Sequence, residues 1–181
     1  MIELTLIPHD GIEIQSIGKV RFGHTPDEVE KILGAPAFKD DIRYSYDDYE
    51  ITVFFGNDKK VEAIECNAGH FSDKTRTVIY GADFFSLFAD EAVDLMDKMY
   101  NGSIFIANLG RPKNNIWYIE IDVCIWRDMD EADVEESVKE AINNGVYEAN
   151  KDSYDYEMRK VRHFHTVLIG RKGYCQDSHA S

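Results

Sequence analysis

Long apolar runs are missing from this sequence: the strongest, such as Val53-Phe54-Phe55 and Val167-Leu168-Ile169, are a few residues long, against roughly 20 for a membrane helix. No spanning helix is expected. The first residues, Met1-Ile2-Glu3-Leu4-Thr5-Leu6, carry no basic stretch ahead of an apolar core and no lipidation cysteine, so a cytoplasmic location is expected. Cysteine is scarce: Cys66, Cys124 and Cys175 are odd in number and widely spaced, which argues against a disulfide framework and against a zinc site. Basic residues are few, 20 Lys and Arg against 34 Asp and Glu, for a net charge of -14. Such a chain repels phosphate backbones and anionic lipids, so neither nucleic acid nor membrane is an expected partner. The sequence also lacks a Gly-rich phosphate loop, G-x-S-x-G, H-E-x-x-H and Cys-x-x-Cys. It therefore gives no ground for expecting an enzyme, a cofactor or a bound metal.

What is present is an alternation of short apolar patterns. Ile2, Leu4 and Leu6 alternate with polar residues, Pro8-His9-Asp10-Gly11 supplies a turn, and Ile12, Ile14 and Ile17 resume the pattern, which predicts an opening hairpin. Thr25 as N-cap, Pro26 at the first helical position, Glu28 three residues after the cap and Val29, Ile32 and Leu33 on one face predict a short helix that Gly34 and Pro36 end. Period-two runs over 43–46, 50–55 and 61–66, with a turn at Gly56-Asn57-Asp58, predict an antiparallel meander. The pattern restarts at Thr77–Gly81. Phe85, Phe88, Ala92, Val93, Met96 and Met99 then mark the inner face of a helix around 84–100, closed by Gly102.

One long strand is expected from Ile116 to Trp126, with Trp117 and Trp126 on opposite faces and Glu120 and Asp122 sharing one. An acidic helix follows over 131–143, capped by Asp130, stopped at Asn144-Gly145, with Val134, Val138, Ala141 and Ile142 inward. Final strands are expected near 152–163 and 164–169. The fold class is thus α+β: mostly antiparallel, curved sheets with three short helices, in a single domain over 1–175 followed by a disordered tail at 176–181. Each half reads strand, Gly, helix, meander, so 1–70 and 71–175 are two degenerate repeats or two unrelated segments of the same class. The sequence leaves both open.

The kernel Gly23, Thr25, Glu28, Val29, Leu33, Gly34, Pro36, followed by an aromatic strand and a strand ending Phe54-Phe55-Gly56, resembles the helix-then-meander repeat of beta-lactamase-inhibitor-like domains and of small bacterial immunity proteins. The likeness covers about 50 residues of the first half, and Pro26 fills a spacer position of the pattern. Outer-membrane assembly lipoproteins share the broad pattern but carry a signal sequence and a lipid-attachment cysteine. The resemblance implies a scaffold that binds another protein. Joined to the acidity, it implies an immunity protein of the contact-dependent growth inhibition type, whose partner is a cognate toxin, a basic nuclease domain whose active site it occludes.

Seven acids lie between Asp128 and Glu140, with Lys139 the one base. Asp128, Asp130, Glu131, Asp133, Glu135 and Glu136 are the first candidates for contact with such a partner, with Trp126 as an aromatic anchor and Asp47 and Asp48 as a second acidic set. The bland alternative is a solvated helix face whose first-turn acids complement the helix dipole. A rival function is a small metal-dependent hydrolase using His163 and His165, which two-residue spacing would place on one face of a strand.

Overall fold

Main-chain pairing joins the two halves of the chain in both of its sheets. A computed structural model describes residues 1–100, 104–106 and 114–179. The opening hairpin forms as expected: β1 (Ile2–Ile7) pairs antiparallel with β2 (Gly11–Ile14), which pairs with β3 (Gly18–Arg21). Gly11 has a φ of 141°, and a Cβ there would lie 2.0 Å from the Val20 carbonyl oxygen, so only glycine fits the crossing. Helix α1 (Pro26–Leu33) starts with a capping box: the Thr25 hydroxyl accepts from Glu28 N and the Glu28 carboxylate accepts from Thr25 N, 2.8 Å. The meander follows as β4 (Phe38–Lys39), β5 (Arg43–Tyr46), β6 (Ile51–Phe55) and β7 (Val61–Cys66).

The second half begins with β8 (Thr75–Ile79), which runs parallel to β1, and a short β9 (Ala82–Asp83). These complete a five-stranded sheet in the order β3-β2-β1-β8-β9. A 3-10 turn over Phe84–Ser86 and extended residues Leu87 and Phe88 precede α2 (Ala89–Met99). The expected single helix is thus broken at its start, which leaves Phe88 half-exposed instead of inward, and Met99 at the far end of α2 is half-exposed as well. Gly102 lies outside the described residues. Strands β10 (Ile104–Ile106), β11 (Asn115–Tyr118), β12 (Val123–Trp126) and β13 (Thr166–Gly170) form a second meander. β13 pairs with β7, Ile169 against Ile64 and Val167 against Cys66, giving one eight-stranded sheet, β10-β11-β12-β13-β7-β6-β5-β4.

Three expectations are corrected here. Residues 116–126 are two strands: Ile119–Ile121 turn, Asp122 adopts a left-handed φ of 50°, and β12 folds back on β11. Trp117 and Trp126 consequently share the outer face of the large sheet, half-buried around Ala63, Cys124 and Leu168. The stretch expected as a strand near 152–163 is mostly a helix, α4 (Tyr147–Lys160), paired with α3 (Glu131–Asn143) in a helical hairpin. Its polarity all round hid the helical period, and its Tyr147–Tyr154 stack at 5.8 Å links residues two turns apart. Among the described residues the α-helices number five, since α5 (Tyr174–His179) takes in residues 176–179 of the expected tail. Residues 180 and 181 lie outside the described part.

Asp122 fastens that last helix. Its carboxylate, nearly fully buried, accepts from Gly173 N and Cys175 N at 2.8 Å and from His9 Nε2 at 3.0 Å, so one acid ties the β1–β2 turn to α5. Leu4, Ile14, Val53, Ile64, Phe84, Met96, Tyr118, Ile125, Phe164 and Ile169 form one core spanning both halves. No helix among the described residues is long and apolar enough to cross a membrane. Because Ile169 is fully buried at the joint between the halves, Ile169→Ala is expected to cost ~2–5 kcal/mol. Urea unfolding should show both halves melting in one shifted transition.

Candidate binding surface

The register of the large sheet decides which loops meet. Tyr46, Ile51, Cys66, Val167, Ile125 and Ile116 are successive neighbours across β5, β6, β7, β13, β12 and β11. The turn at 47–50, the 67–74 link between the halves, the 161–165 segment and residues 127–130 therefore leave from one end of the sheet. Asp47 and Asp48 sit on the first of these and Asp128 on the last. Four strand spacings separate them, about 19 Å.

Between them a ladder of rings crosses the surface. Phe88 stacks on His163 at 5.1 Å, His163 on His70 at 3.6 Å and 9°, His70 meets Phe71 edge-on at 5.0 Å, and Phe71 stacks on Tyr156 at 5.2 Å. His163 Nδ1 donates to the Leu87 carbonyl at 2.8 Å and His70 Nδ1 to the Phe85 carbonyl at 3.0 Å, so both imidazoles clamp the turn before α2. His163 is 4% exposed, whereas Phe88, Phe71 and Tyr156 are 53%, 44% and 44% exposed. Three large rings thus face solvent in a row whose inner member is fixed by the core. Asp73, Asp152 and Asp155, all exposed, lie on the segments that carry Phe71 and Tyr156.

Beside Phe88, a groove of about 410 Å³ runs past Asp90, Glu91, Arg127, Glu131 and Arg162. Arg127 is its hub. Its guanidinium lies over the Phe164 ring, donates from Nε to Asn114 Oδ1 at 3.0 Å and also donates to the Val161 carbonyl. Burial pulls its pKa down, while Asp130, Glu131, Asp90 and Asp133 oppose that shift.

The sequence-selected acids divide into two kinds. Asp130 and Asp133 cap α3 reciprocally, each carboxylate accepting from the other residue's backbone N–H, and Glu131 accepts from Arg162 Nε at 2.9 Å. These three are used inside the molecule. Asp128, Glu135 and Glu136 stand exposed, as do Asp47 and Asp48. Glu50, next to the second set, is a structural acid that accepts from the Ser72 and Thr75 hydroxyls at 2.5 Å. Trp126 packs on the cluster of Ala63, Cys124 and Leu168, and Ile142, expected inward, is 56% exposed at the hairpin tip.

His163 and His165 do not share a strand face. They lie in the segment after α4, His163 directed at Leu87 O and His165 Nε2 donating to Lys160 O at 3.2 Å. Glu120 and Asp122 are likewise separated by the turn, one exposed and one buried. Among the described residues no three His, Cys, Asp or Glu gather as a metal-holding group. The three cysteines are free and buried, and burial pushes the Cys66 and Cys175 thiols up to about 12, which disfavours the reactive thiolate. The ladder has no sequence signature: the helical spacing of Phe88 points it to the core, and nothing local joins 70–71 to 156 and 163.

Burial depresses the pKa of both His163 and His165 below the ordinary 6.5. Such a histidine binds fewer protons folded than unfolded, so its contribution to stability is complete above the unfolded value and is lost as pH falls through it toward the folded one. The urea midpoint is expected to drop between about pH 7.5 and 5.5. In His163→Asn, whose side-chain amide can still donate toward Leu87 O, the drop should be smaller. An equal drop would remove His163 as a cause.

Comparison with family models, with curated proteins and with solved structures returned no match.

Proposed function

We propose that this chain is a cytoplasmic immunity protein, which binds a cognate bacterial toxin and neutralises it by covering the active site of a basic nuclease domain. The observation that carries the reading is the row of exposed rings, Phe88, Phe71 and Tyr156, at one end of the large sheet with exposed acids to either side. Large apolar rings exposed together and rimmed by charge are the composition of a protein-binding patch. Aromatic anchors that are already held lose little rotamer freedom on binding, so they contribute affinity efficiently.

The carboxylates serve a different part of the task. Asp47 and Asp48 on one side, and Asp128, Glu135 and Glu136 on the other, present charge on a molecule of net -14. A nuclease cleft that holds phosphates is lined with Lys and Arg. The same field that repels nucleic acid draws that cleft in and sets the encounter rate. The likeness of the 23–36 kernel to immunity proteins supports the same reading. The metal-dependent hydrolase is not proposed, because its two histidines are turned to different carbonyls.

The test is co-expression with the polypeptide encoded immediately upstream. A one-to-one complex lacking nuclease activity is expected, with an association rate that falls by about tenfold or more between low salt and 0.5 M salt. Phe71→Ala with Tyr156→Ala should weaken binding by about 30-fold or more while the urea midpoint moves little. A salt-independent rate would remove electrostatic steering, and no complex at all would overturn the reading.

A further inference from the structure

The large sheet contains two four-stranded meanders whose third connections differ in length. In the first half the third strand β6 reaches the fourth, β7, through the tight turn 56–60, closed by Gly56 N donating to Lys60 O at 2.9 Å. In the second half the same connection, from β12 to β13, is residues 127–165, which hold α3 and α4. The two feet of this excursion are side by side: Trp126 faces Thr166 in the ladder, and His165 N donates to Trp126 O at 3.1 Å. A short turn would close the sheet there equally well.

The two helices of the excursion return little burial for the chain they order. α4 buries no residue and α3 buries only Val134 and Ala141, and the two helices pack chiefly on each other. Among the described residues the root is what is held, by Glu131–Arg162, by Arg127 on Val161 O and by the Phe71–Tyr156 and His70–His163 stacks. At the far end Ile142 and Val146 are 56% and 46% exposed on either side of Gly145. Behind the tip Glu135, Glu136 and Glu140 are exposed on α3, where Lys139 is the only base.

From this we infer that the α3–α4 hairpin is a docking arm whose apolar tip, Ile142 and Val146, enters the basic cleft of the partner while Glu135, Glu136 and Glu140 pair with the cations lining it. The inference rests on the proposed toxin-binding function and adds the element that does the inserting. Charge selects the occupant: a cleft lined with Lys and Arg matches the α3 carboxylates, whereas a second copy of this chain would set acids against acids. The apolar tip then supplies the desolvated contact and the carboxylates the steering.

The experiment measures binding of the full chain and its variants to the upstream-encoded toxin domain, with circular dichroism and light scattering on each. Ile142→Asp with Val146→Asp is expected to weaken the complex by about 100-fold. Glu135→Lys with Glu136→Lys should mainly slow association. Neither pair touches the sheet, so both variants should keep the wild-type melting curve. If the tip variant binds within about threefold of wild type while Phe71→Ala with Tyr156→Ala does not, the arm is wrong and the toxin-binding reading stands. If wild type forms no complex, the reading falls and the arm with it. A wild-type dimer that the tip variant converts to monomer would make the occupant a second copy and would also overturn the inference.

Discussion

The pairing of β7 with β13 is the interaction on which the rest of the architecture depends. It joins the fourth strand of one meander to the fourth strand of the other, with Ile64 opposite Ile169 and Cys66 opposite Val167. Without it each meander would end in an open edge, and the core residues on its inner face would lack half their neighbours. The β1–β8 pair repeats the joint in the smaller sheet, this time in parallel. Two connections between the same halves, in different sheets, fix their relative placement from both sides.

That joint also creates the functional end of the molecule. Once β7 and β13 are neighbours, the link between the halves and the segment after α4 leave the sheet side by side, and His70 comes to lie 3.6 Å from His163. The exposed rings on either side are held by this pair and by the turn before α2, which both histidines clamp. Rings so anchored stay exposed without collapsing onto the core. The same packing explains the lowered pKa of His163, because burial between Phe88 and His70 disfavours its charged form.

Acidity, the most obvious property of the sequence, performs two tasks that composition cannot separate. Asp130 and Asp133 close the start of α3, Glu131 holds Arg162, Glu50 collects two hydroxyls and Asp122 gathers α5. Each is locked into local geometry. Asp47, Asp48, Asp128, Glu135 and Glu136 have no such duty and carry the field that reaches beyond the surface. One run of seven acids thus contains both kinds at adjacent positions, since helix caps need carboxylates in the first turn and the following turns face solvent.

By itself the sequence determined the features that depend on neighbours in the chain. The capping box at Thr25, the opening hairpin, the β5–β6–β7 meander, the stop at Asn144-Gly145 and the α+β class follow from spacing within a few residues. It misplaced the elements whose period is weak or misleading: α4, polar all round, and β11–β12, whose alternation runs unbroken through a turn that only the left-handed Asp122 reveals. The candidate surface was legible in part, as exposed acids without their arrangement. The ladder was not legible at all, because residues 70, 71, 88, 156 and 163 meet only through the β7–β13 register, and tertiary packing alone decides which aromatic residues fill the core and which remain at its edge.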